Sequence, residues 1–227
     1  GSSNTLIGGQ AGNSLTAGGG SVAIGTQALQ TEDDHGFNVA VGARALQTLN
    51  AGAHGYNVAV GYVAGTAMTT GVENTLIGGL AGDALTTGAN NTAVGSGALS
   101  AEDAHGGNTA IGRLALTAQN AGAEGYNVAV GYNTGLSMTT GVRNTLIGTQ
   151  AGDALTTGNY NTVLGYLALS AEDAHGRNVA IGSGALQVQD AGADAYNVAV
   201  GYNAGLNVST GIDNTIVGGD AGDAMTT

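Results

Sequence analysis

Apolar and polar positions along this chain repeat on a short, fixed beat. Asn-x-x-x-Gly starts at Asn4, Asn38, Asn57, Asn74, Asn91, Asn108, Asn127, Asn144, Asn161, Asn178, Asn197 and Asn214, and at Ser21 with serine in place of asparagine. The spacing of successive starts runs 17-17-19-17, and that order recurs. Four units therefore make one 70-residue super-repeat, opening at Asn4, Asn74, Asn144 and Asn214. Take the Asn as position 0. Position 1 is then Thr or Val, position 3 is Ile or Val except at Leu164, position 4 is Gly, and position 7 is Ala except at Thr134. The β-branched run predicts a short strand. The glycine predicts a corner, where a residue without Cβ takes positive φ. A second short strand is expected after the corner, as over Tyr62-Val63-Ala64-Gly65. Units this short bury no core alone and must stack. The predicted fold is all-β, a parallel β-solenoid of 13 rungs.

In a strand, positions 1 and 3 share one face and position 2 takes the other. Both faces are apolar here. Position 2 is alanine at Ala23, Ala40, Ala59, Ala93, Ala110, Ala129, Ala180 and Ala199, and Leu, Ile or Val elsewhere. One face fills the coil. The small alanines are expected to form a seam against sister chains, because soluble proteins rarely expose a long apolar stripe. Position 8 alternates between Leu and Gly. Where it is Leu, position 11 is polar (Glu32, Glu102, Gln119, Glu172, Gln189); where it is Gly, position 11 is apolar, as at Met68 and Leu85. Leu46 with Leu49 breaks the rule. One large side chain per rung, supplied from either position, is expected to fill one cavity. The repeated Asn suits either a side-chain ladder along the stack or a turn before each strand.

Residues 4–227 read as a single repeat domain, with super-repeats at 4–73, 74–143 and 144–213 and a partial one at 214–227. Gly1-Ser2-Ser3 reads as a cloning remnant, and the last unit stops short of its next Gly, as expected of a piece of a longer fibre. With four Lys+Arg against 16 Asp+Glu, the net charge is −12. That excludes a basic footprint for nucleic acid and argues against binding anionic membranes. No apolar run approaches the ~20 residues of a membrane span. A P-loop lysine and a Gly-x-Ser-x-Gly elbow are missing, so no enzyme is expected.

Three loops carry carboxylates beside imidazole: Glu32-Asp33-Asp34-His35, then Glu102, Asp103 and His105, then Glu172, Asp173 and His175. These donor types suit a divalent metal, but the preferred reading is a solvated acidic turn without ion or cofactor. Tyr62, Tyr132, Tyr166 and Tyr202 sit just past the corner Gly, and Tyr56, Tyr126 and Tyr196 precede an Asn. Such rings stack on glycans or seal a subunit junction; sealing is the preferred reading. Thr-Thr pairs raise an ice-binding solenoid as a third function, against which acidic loops interrupt the Thr array.

The string Ser21-Val22-Ala23-Ile24-Gly25, followed by Ala28, resembles the head repeat of trimeric autotransporter adhesins of the YadA-like kind. The form Asn91-Thr92-Ala93-Val94-Gly95-Ser96-Gly97-Ala98-Leu99, with Thr-Thr-Gly loops at 69–71, 86–88, 139–141 and 156–158, looks like repeats of phage tail fibres. The resemblance spans residues 4–227. It implies a left-handed β-roll, an intertwined or side-by-side homotrimer, and a role in attachment. Adhesin-head rungs are shorter than the units of this chain, so adhesin ligands do not carry over. The expected function is a structural segment of a phage tail fibre or similar appendage on the virion surface. It presents surfaces for host attachment to a glycan or protein receptor. The alternative is a bacterial cell-surface adhesin head.

Overall fold

The computed structural model describes all residues 1–227 and contains thirteen short strands and no helix. The chain divides into two compact units, Gly1–Ile111 and Gly112–Thr227. The first holds β1 (Thr5–Ile7), β2 (Val22–Ile24), β3 (Val39–Val41), β4 (Val58–Val60), β5 (Thr75–Ile77), β6 (Thr92–Val94) and β7 (Thr109–Ile111). The second holds β8 (Val128–Val130), β9 (Thr145–Ile147), β10 (Thr162–Leu164), β11 (Val179–Ile181), β12 (Val198–Val200) and β13 (Thr215–Val217). Within each unit every strand pairs in parallel with the next in sequence. Register is kept position by position: Thr75 lies opposite Thr92, Leu76 opposite Ala93 and Ile77 opposite Val94. The repeat thus folds as a β-solenoid of 13 turns, one strand per turn.

The corner glycine is obligatory for two reasons. Gly78 has φ +137°, and a Cβ there would lie 2.5 Å from the carbonyl oxygen of Gly95 on the next turn. No second strand follows the corner; the segment 62–65 and its equivalents form a turn instead. The cause is backbone handedness. Val63, at position 6, has φ 52°, and Leu46 and Leu99, at position 8, have φ 49° and 54°. Left-handed conformations two places apart curl the chain, so a pleat cannot form. These turns are still stitched rung to rung: Leu46 N–H donates to the Ala64 carbonyl and Gly65 N–H to that of Ala81, each at 3.0 Å.

The strand faces are reversed relative to the sequence expectation. Ala23, Ala40, Ala59, Ala93, Ala110, Ala129, Ala180 and Ala199 are all fully buried inside the single chain. They form no seam. Position 2 points into the coil, where small side chains make room for those supplied by the two filling positions further along each turn. Positions 1 and 3 point outward. The filling rule holds only in the Gly turns: a Cβ on Gly82 would meet Leu85 Cδ1 at 2.7 Å and Leu76 Cδ2 at 2.9 Å, whereas in the Leu turns both positions are buried, as at Leu99 with Glu102 and Leu186 with Gln189. Leu46 and Leu49 are both buried as well. Their neighbour turn offers the small residues Ala59 and Gly65, and a Cβ on Gly65 would approach Leu46 Cδ2 to 2.9 Å.

The asparagines form a ladder. Asn57, Asn74 and Asn91 each donate their backbone N–H to the Oδ1 of the Asn one turn earlier, at 3.1, 3.0 and 2.9 Å. Their Nδ2 groups bond turn carbonyls, as from Asn74 to Gly88 at 2.9 Å. The ladder therefore pairs the buried amides that precede each strand. Ser21 keeps only the acceptor half, taking the Asn38 N–H at 3.2 Å.

Candidate functional site

The three carboxylate–imidazole loops do not form solvated turns at their first residue. Glu32, Glu102 and Glu172 have no exposed surface. Each occupies position 11, which Met68, Leu85, Met138 and Leu155 fill in other turns, also fully buried. The loop folds back over the carboxylate: the His105 and His175 amides donate to Oε1 of Glu102 and Glu172 at 3.1 and 3.0 Å. The imidazole follows, with His105 Nδ1 3.7 Å from Glu102 Oε1 and His175 Nδ1 3.5 Å from Glu172 Oε1. Burial pushes the Glu172 carboxyl above its ordinary value, opposed by the His175 amide and imidazole, while the Asp190 charge adds to the rise. Burial likewise raises Glu32, opposed by the Ala51 and His35 amides.

In all three loops the donor atoms converge. Glu32, Asp33 and His35 form one group, Glu102, Asp103 and His105 a second, and Glu172, Asp173 and His175 a third, which Asp190 joins from the next turn. Within each group the possible ligand atoms lie within 4.8 Å of one another. Asp190 is absent from the candidates read off the sequence. Its signal is there nonetheless, because the step from Glu172 to Asp190 is close to one repeat unit, which brings it alongside.

The tyrosines just past the corner are on the outside: Tyr62 is 62% exposed, Tyr132 46%, and Tyr166 and Tyr202 fall between. Arg113 lies over the Tyr132 ring at 5.7 Å. A second exposed column is only partly legible in the sequence. Position −1, just before each Asn, is left-handed throughout, and in the second unit it carries Tyr126, Arg143, Tyr160, Arg177 and Tyr196. The two guanidiniums alternate with the three rings at 5.3–5.9 Å. Arg143 also donates to the Tyr160 hydroxyl at 2.9 Å, and Arg177 pairs with Asp194 at 2.7 Å. In the first unit the same position stacks Phe37 on Tyr56 at 5.5 Å, with His54 edge-on to Phe37 at 4.7 Å. Cation–π contacts of this kind contribute about 0.5–1 kcal/mol each at exposed sites.

The third surface is the outward strand face. Ile7 and Ile77 in the first unit, and Leu164 and Val217 in the second, sit at position 3 and are exposed. Thr or Val accompanies them at position 1. No helix of the chain is long and apolar enough to cross a membrane. Family models, curated proteins and solved structures offer no match to this chain.

Proposed function

We propose that this chain is a structural segment of a homotrimeric fibre, such as a phage tail fibre or a comparable surface appendage on a virion or bacterial cell. It acts as a rigid spacer that carries attachment surfaces outward. The observation that carries this reading is the outward strand face. The position-3 side chains point outward, exposed at Ile7, Ile77, Ile111, Leu164 and Val217 and half-buried in the other turns, although the interior is already filled by the chain's own side chains. A row of large apolar residues left over after the core is complete calls for another surface to cover it. Identical copies supply one with the same spacing. The homotrimer and the left-handed coil are part of the proposal and rest on the adhesin- and tail-fibre-like repeats. The exposed tyrosine columns offer flat amphipathic rings to a glycan or protein receptor.

The experiment is mass by light scattering and ultracentrifugation on the chain and on its I77E/L164E variant. A trimer that falls to monomer in the variant supports the fibre. A monomeric wild-type chain overturns it.

One observation favours a second reading. Thr at position 1 in seven strands and Val in the other six, with Ile, Val or Leu at position 3, make an outward array on the strands, rather than broken Thr loops. Such an array on a monomer fits ice binding. The discriminating result is thermal hysteresis from a monomeric chain, lost on replacing Thr75 and Thr92 by Lys.

A further inference from the structure

Position 11 needs no charge. Leu, Met and Gln all fill it in other turns, as at Leu155, Met138 and Gln119, each fully buried. Glu172 nevertheless places a carboxylate there with no exposed surface. One oxygen, Oε1, accepts the His175 amide at 3.0 Å. The other, Oε2, has no hydrogen-bond donor, and the buried His175 Nδ1 has no hydrogen-bond partner either. The Ala191 amide favours the charged carboxylate from outside hydrogen-bond geometry. The neighbouring ladder residue does not relieve Oε2. Asn38 Nδ2 reaches Glu32 Oε2 at 3.5 Å, but the equivalent Asn178 Nδ2 makes no hydrogen bond. An ionised carboxylate buried and half satisfied is costly, and proteins retain one where something else compensates it.

We propose that Glu172, Asp173, His175 and Asp190 bind a first-row divalent transition ion, of the zinc-to-manganese kind. The donor set is three carboxylates and one imidazole. Imidazole with carboxylate suits these ions, whereas calcium takes six to eight oxygens and no imidazole. The geometry is within reach. Donors ~2.1 Å from one ion are at most ~4.2 Å apart, and about 3.4 Å apart in a tetrahedron. His175 Nδ1 and Glu172 Oε1 already stand 3.5 Å apart, and all four donors lie within 4.8 Å. Closing the rest takes a side-chain rotation of Asp173 and Asp190, both exposed. The His175 amide orients the carboxylate, as an outer hydrogen bond does for a metal ligand.

The other two loops present Glu32, Asp33 and His35, and Glu102, Asp103 and His105. Where the third loop has Asp190, they have Asn50 and Asn120 at the equivalent place in the repeat. An amide oxygen is a weaker ligand than a carboxylate, so these two bind less tightly.

The test is calorimetric titration of the EDTA-treated full chain with Zn²⁺, Mn²⁺ and Ca²⁺ in turn. It is paired with Mn²⁺ broadening of the imidazole proton signals of His35, His54, His105 and His175. One strong Zn²⁺ site per chain is expected, with His175 broadened first by Mn²⁺. D190N should weaken that site at least tenfold, to the level of the other loops. E172Q and H175Q should abolish it. Gln119 and Gln189 already occupy position 11 fully buried, so E172Q is compatible with the fold, and unchanged circular dichroism verifies that. A chain that binds no Zn²⁺ overturns the proposal. So does Zn²⁺ affinity that survives E172Q in a folded chain, which would leave Glu172 and His175 a plain ion pair.

Discussion

At the scale of single residues, the Asn ladder does the most per side chain. Asn74 Oδ1 accepts the Asn91 N–H at 2.9 Å, while its Nδ2 donates to the Gly88 and Val72 carbonyls at 2.9 and 3.1 Å. Asn74→Ala strands a buried donor and a buried acceptor at once. Each costs about 1–3 kcal/mol, so chemical denaturation should register a loss of about 3 kcal/mol. Asn74→Ser keeps the acceptor, as Ser21 does toward Asn38, and should lose about half as much. Equal losses from Ala and Ser would mean that the ladder bonds are not the cause. The sequence leaves this residue ambiguous for a physical reason. A turn residue and a ladder residue have the same identity and spacing, and the ladder partner is a whole turn away along the chain. The buried glutamates are hard to read for a related reason. Glu-Asp-Asp-His looks like a polar loop when read along the chain. Read down the column instead, Glu32 aligns with Leu15 and Leu49, which marks an interior position.

At the scale of one turn, the repeat's Leu/Gly alternation reflects backbone shape as well as volume. Position 8 is left-handed whichever residue holds it: Gly82 has φ 54° and Leu99 also 54°. Leucine tolerates this only at a cost of roughly 1–2 kcal/mol, which its burial offsets. The Leu/Gly alternation is readable from composition by position, but the backbone handedness behind it is not, nor is the burial of Glu102 and Gln189 beside Leu99 and Leu186. That handedness also replaces the expected second strand by a turn. A swap tests the packing. Gly82→Leu alone drives a Cβ to within 2.7 Å of Leu85 Cδ1, and overpacking of this kind costs typically about 1–3 kcal/mol. Adding Leu85→Gln and Leu76→Ala recreates the Leu, Gln and Ala set seen at Leu186, Gln189 and Ala180, all fully buried. The triple variant should recover most of the melting temperature lost by the single one. Failure to recover would place the constraint in the backbone rather than in the shared cavity.

At the scale of the whole molecule, charge dominates, and its sign can be followed with pH. The chain carries a net −12 at pH 7, so self-repulsion opposes compaction and association there. Burial raises Glu32, Asp83, Asp153 and Glu172 above their ordinary values of 4.5 for Glu and 3.8 for Asp. A carboxylate raised in the folded state holds its proton where the unfolded chain has lost it. Stability therefore falls as pH climbs from the unfolded value through the folded one, and the penalty is absent below the unfolded value. Asp194 runs the other way, held low chiefly by its hydrogen bond from Arg177, but that pair is exposed and weak. Four raised groups against one lowered group predict a melting temperature higher near pH ~4.5 than near pH ~7.5, with EDTA present throughout. Repulsion alone predicts the same direction, so the variant E32Q/E172Q separates the two causes. Removing two buried carboxylates should raise the melting temperature at the higher pH and flatten its slope with pH. A slope unchanged in that variant would assign the pH dependence to net charge, and the buried glutamates would then cost the fold nothing at neutral pH.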